Sequence, residues 1–156
     1  MSTEVVQVVI ERQELIDQLT KCLRKVHKDD EMLFRNTLGE NCLNHRLGLY
    51  LNRYFEKGAI TVDLEYNRHL EEGKFYTEDK RAIVDIVIHQ RGFDASNICA
   101  IECKKSRTSK TDKAKIKSFI SKRFNYQFGA IVVYNKRLFT LSWIEKGRTK
   151  SLDVLY

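Results

Sequence analysis

The chain has 156 residues, 42% of them apolar and 31% charged, and a formal net charge of +7; this is the size and balance of one water-soluble domain with a single sizeable core. No window approaches the roughly 18–20 apolar residues that cross a bilayer, and the first residues carry no basic start followed by an apolar block. Neither a membrane partner nor a leader is expected, and the location expected is cytoplasmic. Proline, internal repeats and low-complexity stretches are all absent, so nothing marks a linker and residues 1–156 read as a single domain.

In chain order, Leu15, Ile16, Leu19, Cys22, Leu23 and Val26 recur at helical steps, and Leu43, Leu47, Leu51, Tyr54 and Phe55 do the same. These predict two amphipathic helices broken around "NTLGEN", the second stopping at Gly58. The period then changes to two: Ile60, Val62, Leu64 and Tyr66 alternate with polar residues, and "AIVDIVIH" (82–89) and "NICAIECK" (97–104) are rich in β-branched and apolar residues. "TDKAKIKSFISKRF" returns to a helical stripe of Ile116, Phe119 and Ile120, capped by Thr111 or Ser109. "FGAIVVY" (128–134), "RLFTLSWI" after an "NK" turn, and "SLDVLY" complete the chain as strands. The fold class expected is α/β (α+β), with a helix–strand–strand–strand–helix–strand core, a mixed central sheet, an extra N-terminal helix and one or two C-terminal strands. Cys22, Cys42, Cys99 and Cys103 form no C-x-x-C pair and have no histidine at zinc-ligand spacing, so they read as thiols at apolar positions. Trp143 and most Phe and Tyr residues read as core.

Charge is distributed unevenly. Residues 104–123 hold nine basic side chains and one acidic one, a net +8 in a chain of net +7. Such a run is either a solvated helix face or the footprint of a polyanion binder.

"NICAIECKKS" places Glu102, Lys104 and Lys105 at the end of an apolar strand. An antiparallel register that sets His89 opposite Ile98 also sets Asp85 opposite Glu102, with Lys104 on the same face. Like charges facing each other in a sheet cost about 0.2–1 kcal/mol, and more when buried. The arrangement makes physical sense with a divalent cation between the carboxylates.

Asp85 followed by Glu102-Cys103-Lys104, a D-x(16)-E-x-K pattern, resembles the PD-(D/E)xK, or restriction-endonuclease-like, nuclease superfamily. "ENCLNHRLGLYLNRYF", "VDLEYNR", "VDIVIHQRG", "ICAIECKKS" and "YQFGAIVVY" are similar, in order and wording, to small uncharacterised prokaryotic and phage members, over about residues 37–134. Val84 stands where a proline often precedes the Asp; that proline is not a ligand. The resemblance implies a metal-dependent endonuclease hydrolysing phosphodiester bonds of DNA, in restriction, phage defence or repair. Asp85, Glu102 and the main-chain carbonyl of Cys103 would hold Mg²⁺ or Mn²⁺, and Lys104 would orient or activate water and offset transition-state charge. Glu40 resembles the superfamily's first-helix acid, which can bind a second metal or a metal-bound water, although the helix dipole explains an acid there equally well. Lys105, Arg107, Lys113 and Lys117 would contact substrate phosphates; His45 and Arg46 would do so or form surface or interhelical pairs. Glu65 shares a face of the first strand with Asp63 and Asn67, either bordering the metal site or simply facing water. His89 belongs to the strand end. RNA stays open as a substrate, as do a homodimer and a specificity-giving protein partner. Two other classes compete: an inactive nucleic-acid-binding module on the same fold, and a scaffold or inhibitor that binds an acidic protein.

Overall fold

The computed structural model describes residues 7–36, 39–66, 83–135 and 139–145 with their side chains, and the backbone of 68–69, 72–73, 75–77, 80–81, 138 and 148–155. Thr37 and Leu38 of the "NTLGEN" break, Asn67, Ala82, Lys136 of the "NK" turn, and Tyr156 lie outside the described residues.

Four α-helices are present among the described residues: α1 (Arg12–Asp29), α2 (Glu31–Arg35), α3 (Glu40–Phe55) and α4 (Lys110–Ile120). They surround a six-stranded sheet of β1 (Thr61–Leu64), β2 (Ile86–His89), β3 (Asn97–Lys104), β4 (Phe128–Val133), β5 (Leu138–Glu145) and β6 (Arg148–Leu155), which stand in the sheet in chain order. Every neighbouring pair is antiparallel except β3 and β4, which are parallel. Parallel strands need a crossover, and α4 supplies it. The order α3–β1–β2–β3–α4–β4 is the expected core, with β5 and β6 as the two C-terminal strands. The periodicity did not separate α2 from α1, and it missed two short two-stranded ribbons, Arg68–His69 with Glu72–Gly73 and Phe75–Thr77 with Lys80–Arg81.

The expected register holds for Ile86 opposite Ile101, Val87 opposite Ala100 and Ile88 opposite Cys99; an irregularity then brings His89 opposite Asn97 instead of Ile98. Two strands are shorter than their patterns. β2 begins only at Ile86, which leaves Asp85 in a bend. β1 stops at Leu64 because Glu65 adopts φ +52°, a left-handed conformation that ends strand geometry and is uncommon for a side-chain-bearing residue.

Each face of the sheet has its own helix layer. On one, Leu15, Leu19 and Leu23 of α1 and Leu43, Leu47 and Leu51 of α3 join Ile86, Ile88, Ile101, Val132 and Trp143 in the larger core. On the other, Ile116, Phe119 and Ile120 of α4 pack with Val87, Ala100, Ile131 and Ile144. Two glycines allow the close approach: a Cβ at Gly48 would stand 2.6 Å from Leu64 Cδ1, and one at Gly129 would stand 2.4 Å from Ile116 Cγ2. Covered on both faces, β3 is buried from Asn97 to Cys103, which is why it reads as nearly continuous apolar sequence. Within it, Cys99, Ile101 and Cys103 face the larger core, while Ala100 and Glu102 face α4.

All four cysteines are free thiols; Cys22, Cys99 and Cys103 are buried, whereas Cys42 is exposed. The apolar assignment of Cys42 is therefore corrected: it sits on the outward side of the first turn of α3.

Candidate active site

The site lies where β3 ends, β2 begins and α3 and α4 start, at the C-terminal end of the parallel pair. Asp85, in the bend before β2, accepts the Cys103 N–H on Oδ2 at 2.6 Å. Its carbonyl accepts the Glu65 N–H at 2.9 Å. Glu102, 1% exposed, turns Oε1 to two ammonium groups, Lys104 Nζ at 2.9 Å and Lys115 Nζ at 2.6 Å. Its second oxygen, Oε2, is buried without a hydrogen-bond partner. Lys104 Nζ also stands 3.5 Å from Asp112 Oδ1 and 3.9 Å from Glu40 Oε1.

Local structure explains these placements. Helix α4 starts with a capping box: Ser109 Oγ accepts the Asp112 N–H at 3.1 Å, and Asp112 Oδ2 accepts the Ser109 N–H at 2.7 Å. Of the two caps open in the sequence, Ser109 is the one used. Asp112, fixed by its cap, leaves Oδ1 toward Lys104. Glu40 opens α3, and its Oε2 accepts the Lys105 N–H at 2.9 Å, joining the helix start to the strand end.

The electrostatics follow from burial. Loss of water and then the neighbouring Glu102 charge push the Asp85 carboxyl up to about 6, against the pull of the Cys103 N–H and Lys104. For Lys104, burial disfavours the charge, but Glu102, Asp112 and Glu40 outweigh it and hold the ammonium above the ordinary lysine value. Burial also opposes ionisation of Asp112, yet the Ser109 hydrogen bonds and Lys104 bring it below the usual carboxylate range.

A cleft of about 210 Å³ opens beside Asp85, lined by Asn41, Asn44, His45, Leu64 and Glu65. His45 therefore reaches the site region. Glu65 also borders it, but not by sharing a strand face with Asp63: its left-handed backbone breaks the alternation, and Asp63 turns to His89 and Arg91. Arg46, expected at a phosphate or in a surface or interhelical pair, makes the latter: it donates to Asp30 Oδ1 at the α1–α2 junction and to the Tyr50 hydroxyl on its own helix, both at 2.8 Å. The side chains of Lys105, Arg107, Lys113 and Lys117 are exposed around the site end of β3 and along α4. Lys115 was not among the residues that the sequence pattern singled out. Its signal was present: it lies one helical turn from Asp112 and immediately before Ile116, on the flank of the apolar stripe.

Among the described residues, no three His, Cys, Asp or Glu side chains converge as ligands of one ion. Asp85 and Glu102 are two carboxylates whose charges interact, while Glu40, nearby, is engaged by the Lys105 N–H. The pair suits Mg²⁺, which is commonly held by one or two carboxylates and keeps several waters. The unpartnered Oε2 of Glu102 is the observation that fits a cation here.

No family model matches this chain, and no curated protein matches it. Among solved structures it is similar to a chain of the "cryoEM structure DrdV-DNA complex", with a TM-score of 0.46 and 16% identity over 90% of this chain. This chain spans 12% of the length of that one.

Proposed function

We propose that the chain is a metal-dependent nuclease of the PD-(D/E)xK kind, hydrolysing phosphodiester bonds of DNA with Mg²⁺ or Mn²⁺ held by Asp85 and Glu102. The observation that carries this reading is the buried, unpartnered Oε2 of Glu102 beside a carboxyl whose pKa is raised to about 6. Buried polar atoms are nearly always satisfied, and an orphan is explained by a water, an ion, strain or a catalytic role; on a carboxylate beside a second acid, a cation answers it. Two crowded acids at a strand end are a functional arrangement more than a stabilising one. The agreement of Asp85, Glu102 and Lys104 with the superfamily pattern, on elements in the superfamily's order, supports the same reading.

When bound, a divalent cation supplies Lewis acidity toward a phosphoryl oxygen and acidifies a bound water. The chain's own residues supply the rest. Lys104 is held as an ammonium by three acids, so it acts as a fixed positive charge and donor, offsetting negative charge that gathers on the phosphoryl group. It orients a water by donating to it and does not take its proton. Lys105, Arg107, Lys113 and Lys117 hold the sugar-phosphate backbone, and Glu40 anchors the end of β3 through Lys105.

One observation favours a second reading, a non-catalytic nucleic-acid-binding module: Oε1 of Glu102 is already neutralised by two lysines. Activity assays separate the two. The purified chain should nick or cleave DNA only with Mg²⁺ or Mn²⁺. Lys104→Ala should lower turnover by about 100-fold or more with fold and DNA affinity retained. Equal cleavage by wild type and variant would remove the mechanism, and binding without cleavage in any divalent cation would leave the binding module.

A further inference from the structure

Helix α4 does more than cover the smaller core. Gly129 on β4 lets Ile116 and Ile120 lie against the strand, and the Ser109–Asp112 capping box fixes the first turn. Between these two anchors, Lys115 has one destination: its Nζ meets Oε1 of Glu102 at 2.6 Å, closer than Lys104 at 2.9 Å. Both ammonium groups fall on the same oxygen. The carboxylate is split into one oxygen that is fully engaged and one that is buried with nothing to bind.

We infer that Lys115 is a positioning residue: by holding Oε1 from α4, it orients Glu102 so that Oε2 alone meets a divalent cation, in a one-oxygen contact. This rests on the proposed metal-dependent function and adds a residue to it. A lysine that served packing alone would not need its charge, and a phosphate-binding lysine would stand in water like Lys113 and Lys117; Lys115 is half-buried and directed inward. Removing it leaves Oε1 to Lys104 alone, at 2.9 Å, and without the shorter contact from α4 the carboxylate can turn to a cation with both oxygens.

The test uses the full chain with Mg²⁺ alone, so its outcome does not depend on cleavage. Difference infrared spectra with and without Mg²⁺, compared between wild type and Glu102→Gln, isolate the Glu102 carboxylate. A wide separation of its antisymmetric and symmetric stretches marks one-oxygen contact, and a narrow separation marks two-oxygen contact. The expected result is a wide separation in wild type, a narrow one in Lys115→Met, and a return to wide in Lys115→Arg. Lys115→Gln replaces the methionine variant if that protein does not fold. Cleavage should follow, with turnover of Lys115→Met about 10–100-fold lower, affinity for DNA unchanged and Lys115→Arg restored. The same separation in wild type and Lys115→Met would overturn the inference while leaving the metal reading intact. A wild-type Glu102 band that ignores Mg²⁺ would instead overturn the metal reading, and this inference with it.

Discussion

Two acids, one on β1 and one in the bend that leads into the neighbouring β2, meet opposite fates. Asp63 on β1 accepts Arg91 Nε at 2.7 Å and lies 2.9 Å from His89 Nε2, while the edge of Tyr66 covers the histidine ring at 4.5 Å. Burial opposes its ionisation, yet Arg91 and His89 bring its pKa down to about 2; an ionised carboxylate only accepts, so the proton of that contact is on the histidine nitrogen. Asp85 has a single backbone N–H on its carboxylate and a second acid beside it, and its pKa rises to about 6. The first acid is saturated and clamps the open edge of the sheet. The second is under-compensated and keeps bonding capacity for something from outside. Saturation, more than the mere presence of acids, separates a structural cluster from a site.

The largest effect that tests this contrast is the response to pH. For Asp85 the folded pKa lies above the unfolded value, so its contribution favours folding only where the group is protonated, and stability should increase as pH falls from about 6 toward 4. Without divalent cations, Asp85→Asn should exceed wild type at pH 7 by about 2–3 kcal/mol, and the gap should close by pH 4. With Mn²⁺ the melting temperature should rise in wild type and much less in the variant. Urea melts across this range check the first point and thermal melts the second. A gap that ignores pH, or equal stabilisation of both proteins by Mn²⁺, would show that Asp85 is not the strained acid.

Asp63 should behave in the reverse way. Its folded pKa is depressed, so its contribution is present above about pH 4 and is lost as pH falls toward 2. Because Arg91 stands largely in water, Asp63→Asn should cost about 1 kcal/mol at pH 7, with no change in metal-dependent cleavage. A loss of cleavage there would mean that the two clusters are coupled and the contrast is wrong.

The smallest effect concerns what surrounds each acid. The +8 segment starts at the Asp85 end, where Lys104 closes β3, and runs along α4, which carries Lys113 and Lys117. Neutralising Lys113 and Lys117 together should weaken binding to all DNA sequences alike and reduce the slope of log K against log salt by up to about 1.8, near 0.9 per lost phosphate contact. An unmoved slope would make these lysines a solvated face.

Much of this geometry is legible in the sequence, for definite reasons. The strand "NICAIECK" matches β3 residue for residue, because a central strand covered on both faces must be continuously apolar and anything charged within it stands out. The expected register holds for Ile86, Val87 and Ile88, although the His89–Ile98 pair on which it rests does not form. What periodicity cannot show is where alternation is interrupted. The irregularity that puts His89 opposite Asn97 and the left-handed turn at Glu65 are single-residue backbone choices with no pattern in their neighbours. For Lys115 the sequence carries a weaker signal, its place on the flank of the apolar stripe in a run of lysines; the packing of α4 on Gly129 then turns it inward. Of the Arg46 partners, Tyr50 is one turn along the same helix and within reach of a sequence argument, whereas Asp30, at the junction of α1 and α2, is brought to it only by tertiary packing.

The contacts of the site also differ in how much chain they enclose. Asp85 meets Cys103 across 18 residues and Lys115 meets Glu102 across 13, whereas Glu40 reaches Lys105 across 65. The acid pair and its two lysines thus belong to one continuous stretch, residues 85–115, whose loops close at low entropic cost. On loop length alone, the Asp85–Cys103 contact should survive partial opening longer than the contact of Glu40 with Lys105. Amide exchange should record the difference, with the Lys105 N–H, bonded to Glu40, released by fraying of α3 while the Cys103 N–H, bonded to Asp85, waits for global unfolding.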